Sequence, residues 1–276
     1  MLAKFRKKDT NNVTESPLFL LGYFRSGTTL LQRILNTFDD ICLWGEHNAI
    51  LEPVAESYQQ CLQSKHLSLG KPEKGNAHEA VMRLRNPALW AADINWLCTE
   101  DVRAGYRNFL EHLFNPLNSR YWGFKEIRYG INDLKVLDFL KELYPNARFI
   151  FIFREPVHCI QSALNFDARI KTPLSKLVDM WASLYRNYLI FSGKFPVSCR
   201  FISYDDLIDS NRNSLKELLS FLGLPLAQKQ RDVLELQDGR NCEGFSPGRI
   251  ALNDLEKKRV NSCCGEVFRE LQEHAI

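Results

Sequence analysis

The 276-residue sequence contains no apolar run that approaches the roughly 20 residues needed to cross a bilayer. It also has little excess of either charge, since 36 Lys and Arg residues face 33 Asp and Glu residues, for a formal net charge of +3. This balance argues against nucleic acid or an anionic membrane as the main partner. We expect no signal peptide, because the apolar stretch after the basic residues 1–12 is short and leads directly into a glycine-containing loop.

The eight cysteines form no CxxC pair and show no metal-ligand spacing. Several lie in apolar runs, as Cys159 and Cys199 do, where a free thiol packs as a small hydrophobic side chain. We therefore expect reduced structural cysteines in a cytoplasmic protein, and no metal site. A hydrophobic fraction of 45% predicts a sizeable core, and the length suits one domain over residues 1–276.

Strand-like and helix-like segments alternate along the chain, which predicts an α/β fold with a parallel sheet covered on both faces. The strand-like segments are 18–22, 147–155 and 198–203. The segments with helical spacing are 28–38, 131–144, 174–193 and 214–224. Residues 52–118 show helical patches and no clear strand, which predicts a helical insertion or lid on the acceptor side.

The stretch "GYFRSGTT", residues 22–29, has the G-x-x-x-x-G frame of a phosphate loop between a strand and a helix. Backbone N–H groups converge on an anion at such a corner, and the helix dipole adds positive potential. Arg25 adds a side-chain cation. The lysine of nucleotide triphosphatases is missing, because Thr28 follows Gly27. A glycine frame can also serve a strand–helix corner for steric reasons alone.

A second candidate site is "RFIFIFREPVHCIQSALN", in which Arg154 follows a strand and Pro156 suits the first turn of a helix. Ser162 follows less than two turns later. Both polar side chains can therefore reach one ligand above the carboxyl end of the sheet, where open α/β folds bind ligands. The alternative is a surface arginine and a helical serine without a joint role.

Together, "FRSGTT" and "FIFREPVHCIQS" resemble the two motifs of the sulfotransferase family, which uses 3′-phosphoadenosine 5′-phosphosulfate (PAPS) as its donor. The resemblance implies a P-loop NTPase-like central sheet and a site for the nucleotide. It implies that Arg25 and residues 26–29 hold the 5′-phosphosulfate, and that Arg154 and Ser162 hold the 3′-phosphate. Residues 26–29 are Ser26, Gly27, Thr28 and Thr29. Sulfuryl transfer involves less negative charge than triphosphate chemistry, so a metal and the missing lysine become dispensable.

Further local matches extend this resemblance. "LWGEHNAI" is similar to a segment of tyrosylprotein and some carbohydrate sulfotransferases, which implies that Glu46 is the catalytic base. "WGFKEIRYG" resembles the family's lysine segment, and Lys125 would stabilise the sulfuryl oxygens. "FISYDDLI" resembles a stretch that makes Tyr204 a nucleotide contact. The late loop "EGFSPGRI" would close over the nucleotide through Ser246 and Arg249, although it lacks the fuller basic glycine motif of the cytosolic branch.

Each of these residues also has a plainer interpretation. Glu46 could be an exposed turn residue, Lys125 could belong to a solvated charge cluster in "KEIR", and Tyr204 could be a strand-end aromatic. His47 is the rival base, because imidazole titrates near neutrality.

The sequence as a whole predicts a PAPS-dependent sulfotransferase in which Arg25, Lys125 and Glu46 act on a hydroxyl acceptor, in preference to an amine. The acceptor could be a small molecule, a carbohydrate or a peptide. One departure from the family pattern is Phe24, which stands where proline usually precedes the basic residue. Two alternatives are a P-loop kinase or NTPase, disfavoured by Thr28, and a non-catalytic nucleotide-binding protein.

Overall fold

A parallel β-sheet of five strands forms the centre of the protein. The structure, a computed structural model, describes residues 16–64, 77–88, 99–166, 172–209, 211–238 and 251–276. The strands are β1 (Ser16–Gly22), β2 (Ile41–Trp44), β3 (Tyr121–Glu126), β4 (Arg148–Phe153) and β5 (Cys199–Ser203). Their order across the sheet is β2-β3-β1-β4-β5, and all neighbouring pairs are parallel.

β1 lies at the centre of the sheet and is buried at every residue. Its side chains alternate between the two faces, as the pleat requires. Leu18 and Leu20 pack into one apolar cluster, whereas Phe19 and Leu21 pack into a second cluster on the opposite face. Burial on both faces explains why the strand is an uninterrupted apolar run in the sequence.

Helices cover both faces of this sheet. Those that pack on the face of Leu18 are α1 (Thr28–Leu35), α8 (Tyr204–Ile208), α9 (Asn213–Leu222) and α10 (Gln228–Asp238). Those that pack on the other face are α2 (Leu51–Gln63), α4 (Thr99–Phe114), α5 (Lys135–Leu143), α6 (Pro156–Phe166), α7 (Leu174–Lys194) and α11 (Asp254–His274). The helix α3 spans Ala77–Leu84. The predicted α/β architecture, a parallel sheet with helices on both faces, is confirmed.

The sequence pattern does not predict β2 or β3. β2 has only four residues and lies at the sheet edge, where Cys42 and Trp44 remain partly exposed. β3 is fully buried but contains Gly123, Lys125 and Glu126. These residue types are depleted in strands, so residue propensities do not predict a strand here.

Two helices are shorter than predicted because polar side chains bond to the backbone at their ends. α1 ends at Leu35, and the Asn36 side chain then exchanges two hydrogen bonds with the backbone of Leu43. α5 begins only at Lys135, whose N–H donates to the Asp133 carboxylate over 3.0 Å.

Within residues 52–118, the described parts form α2, α3 and α4, and these parts contain no strand. The helical character of this region therefore agrees with the expectation, while its role on the acceptor side stays a prediction. None of the helices built from the described residues has both the length and the apolar character needed to cross a bilayer. Cys42, Cys61, Cys159, Cys199, Cys263 and Cys264 are free thiols. A cytoplasmic location stays a prediction.

The sheet topology determines where a ligand site can form. All five strands run in one direction, so their carboxyl ends meet at the same edge, at Gly22, Trp44, Glu126, Phe153 and Ser203. β1 pairs with β3 on one side and β4 on the other, so the strand order reverses at β1. Open α/β sheets bind ligands at such a reversal.

Candidate active site

The loop that follows β1 has the geometry of an anion-binding site. Gly27 ends the loop in a left-handed backbone conformation (φ 100°) and is the N-cap of α1, where no side chain caps the helix. The N–H groups of the first helical turn have no intrahelical acceptors. Thr28 and Thr29 lie in this turn. The loop can therefore hold a phosphate or sulfate oxygen through backbone N–H groups and the helix dipole.

Gly27→Ala should lower the free energy of unfolding by about 1–2 kcal/mol through its left-handed backbone alone. An added Cβ would also overlap Cδ2 of Tyr204, so that ring would have to move. Denaturant unfolding measures the change. Gly265→Ala in α11 is the matched control, because an added Cβ there meets no atom within 4 Å, and alanine favours a helix. Equal stability of the two variants would contradict the described loop geometry.

Buried hydrogen bonds hold this loop against β4. The hydroxyl of Tyr185, on α7, accepts the Tyr23 N–H over 3.1 Å and donates to the Ile152 carbonyl over 2.8 Å. Burial raises the pKa of Tyr185, so its hydroxyl stays protonated and remains a donor. The Ser26 hydroxyl donates to the Tyr23 carbonyl over 2.6 Å within the loop. The ends of β1 and β4 are thus tied together through α7.

The two predicted motifs meet at Arg25. Its Nε donates to Oγ of Ser162, on α6, over 3.2 Å. The Arg25 guanidinium carbon also lies 4.7 Å from the centre of the Phe166 ring, at the end of the same helix. Arg25 itself has a left-handed backbone (φ 68°). One ligand can therefore contact the loop and α6 together.

Arg154, at the end of β4, faces the same region from another side. Its guanidinium carbon lies 4.6 Å from the centre of the Tyr204 ring, at the start of α8. The Arg154 Nε is buried and has no hydrogen-bond partner among the described residues. Tyr204 in turn packs against Gly27. An arginine with an unpaired buried donor beside an anion-binding loop fits an anionic ligand.

Glu46 and Lys125 form an ion pair on the other side of β1. β2 pairs with β3 so that Trp44 lies opposite Phe124, and the chain beyond β2 then brings Glu46 beside Lys125. The Lys125 ammonium donates to Oε1 of Glu46 over 2.5 Å, and Nη1 of Arg128 donates to Oε2 over 3.1 Å. Both carboxylate oxygens are thus oriented by cations.

His47 faces different surroundings from Glu46. Its ring packs edge-on against Phe124, with centroids 4.5 Å apart, and lies near Phe114 and Tyr129. Its Nδ1 is 3.3 Å from the Tyr129 hydroxyl. Burial lowers the pKa of His47, and this outweighs the opposite effect of nearby carboxylates. The imidazole is therefore a neutral group enclosed by aromatic rings.

The "KEIR" segment is not a solvated charge cluster, so that interpretation is wrong. Lys125 is 6% exposed and Glu126 is fully buried, so Arg128 is the one charged residue of this segment with substantial exposure to solvent. Sequence reasoning gave Glu126 and Arg128 no functional role, because charged residues after a strand usually indicate a surface turn.

The late-loop residues Ser246 and Arg249 lie outside the described residues, so their predicted contact with the nucleotide stays a prediction. Phe166, which lies under the Arg25 guanidinium, was not singled out in the sequence. No group of three or more His, Cys, Asp or Glu side chains in the described part of the chain is arranged to hold a metal ion.

Comparison with known proteins connects this geometry to a family. A model of the sulfotransferase family matches residues 17–228, which is more than half of the chain. The chain belongs to the sulfotransferase family. The match includes both motifs, the Glu46–Lys125 pair and Tyr204, and it ends before the late loop.

Two curated relatives carry the name omega-hydroxy-beta-dihydromenaquinone-9 sulfotransferase Stf3, one from Mycobacterium bovis and one from Mycobacterium tuberculosis. Each is 26% identical over 251 residues, an alignment that covers 77% of this chain and 64% of the relative. The chain thus matches less than two thirds of the length of these relatives.

Solved sulfotransferase structures share the fold. The sulfotransferase domain of the Synechococcus PCC 7002 olefin synthase has a TM-score of 0.53 at 17% identity, covering 93% of this chain and 97% of that domain. Mouse sulfotransferase SULT7A1, complexed with PAP, has a TM-score of 0.51 at 13% identity, covering 94% of this chain and 89% of its own. This likeness in fold confirms the predicted P-loop NTPase-like sheet flanked by helices.

Proposed function

We propose that this chain transfers a sulfuryl group from PAPS to a hydroxyl group of an acceptor, in preference to an amine. The observation that carries the proposal is the 3.2 Å contact between Arg25 Nε and Ser162 Oγ. This contact joins the loop after β1 to the helix after β4, which supports one shared anion site for the two motifs. A nucleotide with phosphate groups at both the 3′ and the 5′ position of its ribose suits such a site.

The residues present fit the donor. The buried Nε of Arg154 lacks a hydrogen-bond partner among the described residues, which supports a role for this arginine in binding an anion. Arg154 and Ser162 would hold the 3′-phosphate. Arg25 and the N–H groups of residues 26–29 would hold the 5′ side and take up charge on the leaving phosphate. Tyr204 would position the nucleotide from beneath the Arg154 guanidinium.

When bound, PAPS supplies the sulfuryl group that the acceptor oxygen receives. Glu46 would accept the acceptor's hydroxyl proton at a carboxylate oxygen. Lys125 holds Oε1 of Glu46 and lies on β3, directly beside the end of β1. Its ammonium can therefore orient the base and also stabilise negative charge on the sulfuryl oxygens.

The choice of acceptor class rests on the names of the curated relatives. The curated relatives are named for a small molecule with an ω-hydroxyl group. We therefore place small-molecule alcohols first among acceptors, and carbohydrate and peptide hydroxyls second.

Turnover with PAPS tests this function. We would supply a long-chain primary alcohol, a phenol, a monosaccharide, a tyrosine peptide and a primary amine in the presence of a chelator, and measure formation of adenosine 3′,5′-bisphosphate and sulfated product. We expect at least one hydroxyl probe to accelerate nucleotide release about tenfold or more over the acceptor-free rate, matched by sulfate ester formation. In a parallel assay without the chelator, phosphoryl transfer from MgATP, together with no sulfuryl transfer from PAPS, would support a kinase. Nucleotide binding without turnover of any probe would support a non-catalytic binding protein.

A further inference from the structure

The segment that carries Glu46 has an unusual backbone. Asn48 and Ala49, two and three residues after Glu46, both have left-handed conformations (φ 57° and 58°). Asparagine adopts this conformation fairly often, but alanine rarely does. Consecutive left-handed residues persist only where surrounding contacts enforce them. The contacts that enforce this shape also determine where the Glu46 carboxylate points.

Glu126 supplies two of these contacts. Its carboxylate is fully buried at the end of β3. The Oε2 atom accepts the N–H of His47 over 3.2 Å and the N–H of Ala49 over 3.1 Å, and thus bridges the segment across Asn48. A carboxylate has the two lone pairs per oxygen that such a bridge requires.

The other oxygen of Glu126 connects to Glu46 through a side chain. Oε1 accepts two hydrogen bonds, one from the N–H of Ile127 over 2.8 Å and one from Nη1 of Arg128 over 2.6 Å. The same Nη1 donates to Oε2 of Glu46 over 3.1 Å. Burial alone would raise the pKa of Glu126, but the hydrogen bonds it accepts outweigh burial and hold the pKa below its usual value. The carboxylate therefore stays ionised.

A second anchor holds the far end of the segment. The Tyr129 hydroxyl accepts the N–H of Leu51 over 2.9 Å, at the first residue of α2. Burial raises the pKa of Tyr129, so the hydroxyl remains neutral. Between Glu46 and this anchor, Glu126 holds the backbone at His47 and Ala49.

We propose that Glu126 is a positioning residue, which holds the 45–50 segment and Arg128 so that the Glu46 carboxylate faces the acceptor. The proposal rests on the proposed role of Glu46 as the base. Glu126 itself, enclosed by four donors, does not touch the substrate.

A double-mutant cycle tests this role. Glu126→Gln replaces one acceptor oxygen by an amide donor, so the four-donor arrangement cannot be kept. We expect kcat to fall about 10- to 100-fold, because small displacements of a catalytic group have effects of this size. The affinity for adenosine 3′,5′-bisphosphate should stay within about twofold. In a Glu46→Gln background, the same substitution should change the residual rate less than about twofold, because the group being positioned is already inactive.

Glu142→Gln is the matched control. Like Glu126, this carboxylate accepts a hydrogen bond from an arginine, Arg103 at 3.0 Å, and it accepts one from the Tyr58 hydroxyl at 2.7 Å, but it lies on α5. We expect Glu142→Gln to alter stability and leave kcat within about twofold. Equal losses from Glu126→Gln in the parent and Glu46→Gln backgrounds would show an independent structural role and overturn the proposal.

Amide hydrogen exchange in the unmodified chain gives a second readout, which does not depend on whether a substituted chain folds. The His47 and Ala49 amides should exchange about 10²-fold or more below their intrinsic rates, since both donate to a buried carboxylate. Unprotected amides at both positions would overturn the proposal. Full activity of Glu46→Gln would instead refute the base assignment. Loss of activity in Glu46→Gln with normal turnover in Glu126→Gln would refute the positioning role alone.

Discussion

Glu46→Gln is expected to reduce kcat for sulfuryl transfer by about 10²–10⁴-fold, the usual contribution of a positioned general base. Glutamine keeps the shape of the side chain but cannot accept a proton. The affinity for adenosine 3′,5′-bisphosphate should stay within about twofold, because the proposed phosphate contacts are Arg25, Arg154, Ser162 and the loop amides. Steady-state kinetics with a responsive acceptor and calorimetry with the nucleotide separate the two effects.

His47→Asn is the comparison for this variant. The His47 ring packs among Phe114, Phe124 and Tyr129, while the neighbouring carboxylate contacts Lys125. The asparagine variant should therefore lose packing and stability but retain most of its kcat per folded molecule. An inactive His47→Asn beside a normally active Glu46→Gln would reverse the assignment and make the histidine the base.

Arg154→Ala is expected to abolish the preference for adenosine 3′,5′-bisphosphate over AMP. In the parent chain this preference should be about ten- to a hundredfold, since a charge-assisted hydrogen bond contributes about 1.5–3 kcal/mol. The structural reason is the buried Nε of Arg154, which has no hydrogen-bond partner among the described residues. Calorimetric titration of both chains with both nucleotides measures the two ratios.

Arg200→Ala is a matched control for this loss. The Arg200 guanidinium also stacks on an aromatic ring, 4.3 Å from the centre of Phe221, but Arg200 lies within β5 and not beyond the end of a strand. Its removal should leave both nucleotide affinities unchanged. Equal binding of the two nucleotides by the parent chain would contradict the 3′-phosphate assignment, as would a preference that survives in Arg154→Ala.

The strand–loop–helix geometry at Gly27 and the α/β architecture could be predicted because their signals are local. A buried strand, a glycine at a left-handed corner and a helix follow one another within residues 16–35. Arg154 and Ser162 are likewise joined by a single strand–helix connection, so a shared ligand could be hypothesised for them from the sequence, and that shared role stays a prediction.

Contacts between distant segments could not be predicted in the same way. The Glu46–Lys125 pair joins residues 79 positions apart and depends on the pairing of β2 with β3. Neither strand has a clear sequence signal, because one is a short edge strand and the other contains glycine and charged residues. The resemblance to sulfotransferases suggested a role for each residue, but the direct ion pair and its Arg128 contact emerged only from the fold.

The left-handed backbone at Asn48 and Ala49 shows the same limit. Alanine gives no sequence signal for such a conformation, since its preferences oppose it. The segment in this conformation donates two hydrogen bonds to the buried Glu126 carboxylate, which is supplied by another strand. Strain enforced by tertiary contacts is invisible to local propensity.

A crystal structure with adenosine 3′,5′-bisphosphate bound tests the proposed donor site most directly. It should place the 5′-phosphate on the N–H groups of residues 26–29 and the 3′-phosphate within hydrogen-bond distance of Arg154 and Ser162. Glu46 and Lys125 should then face the open side of the 5′-phosphate, where the acceptor enters. A nucleotide whose 3′-phosphate points into solvent, or whose 5′-phosphate lies away from the loop after β1, would contradict PAPS-dependent transfer at this site.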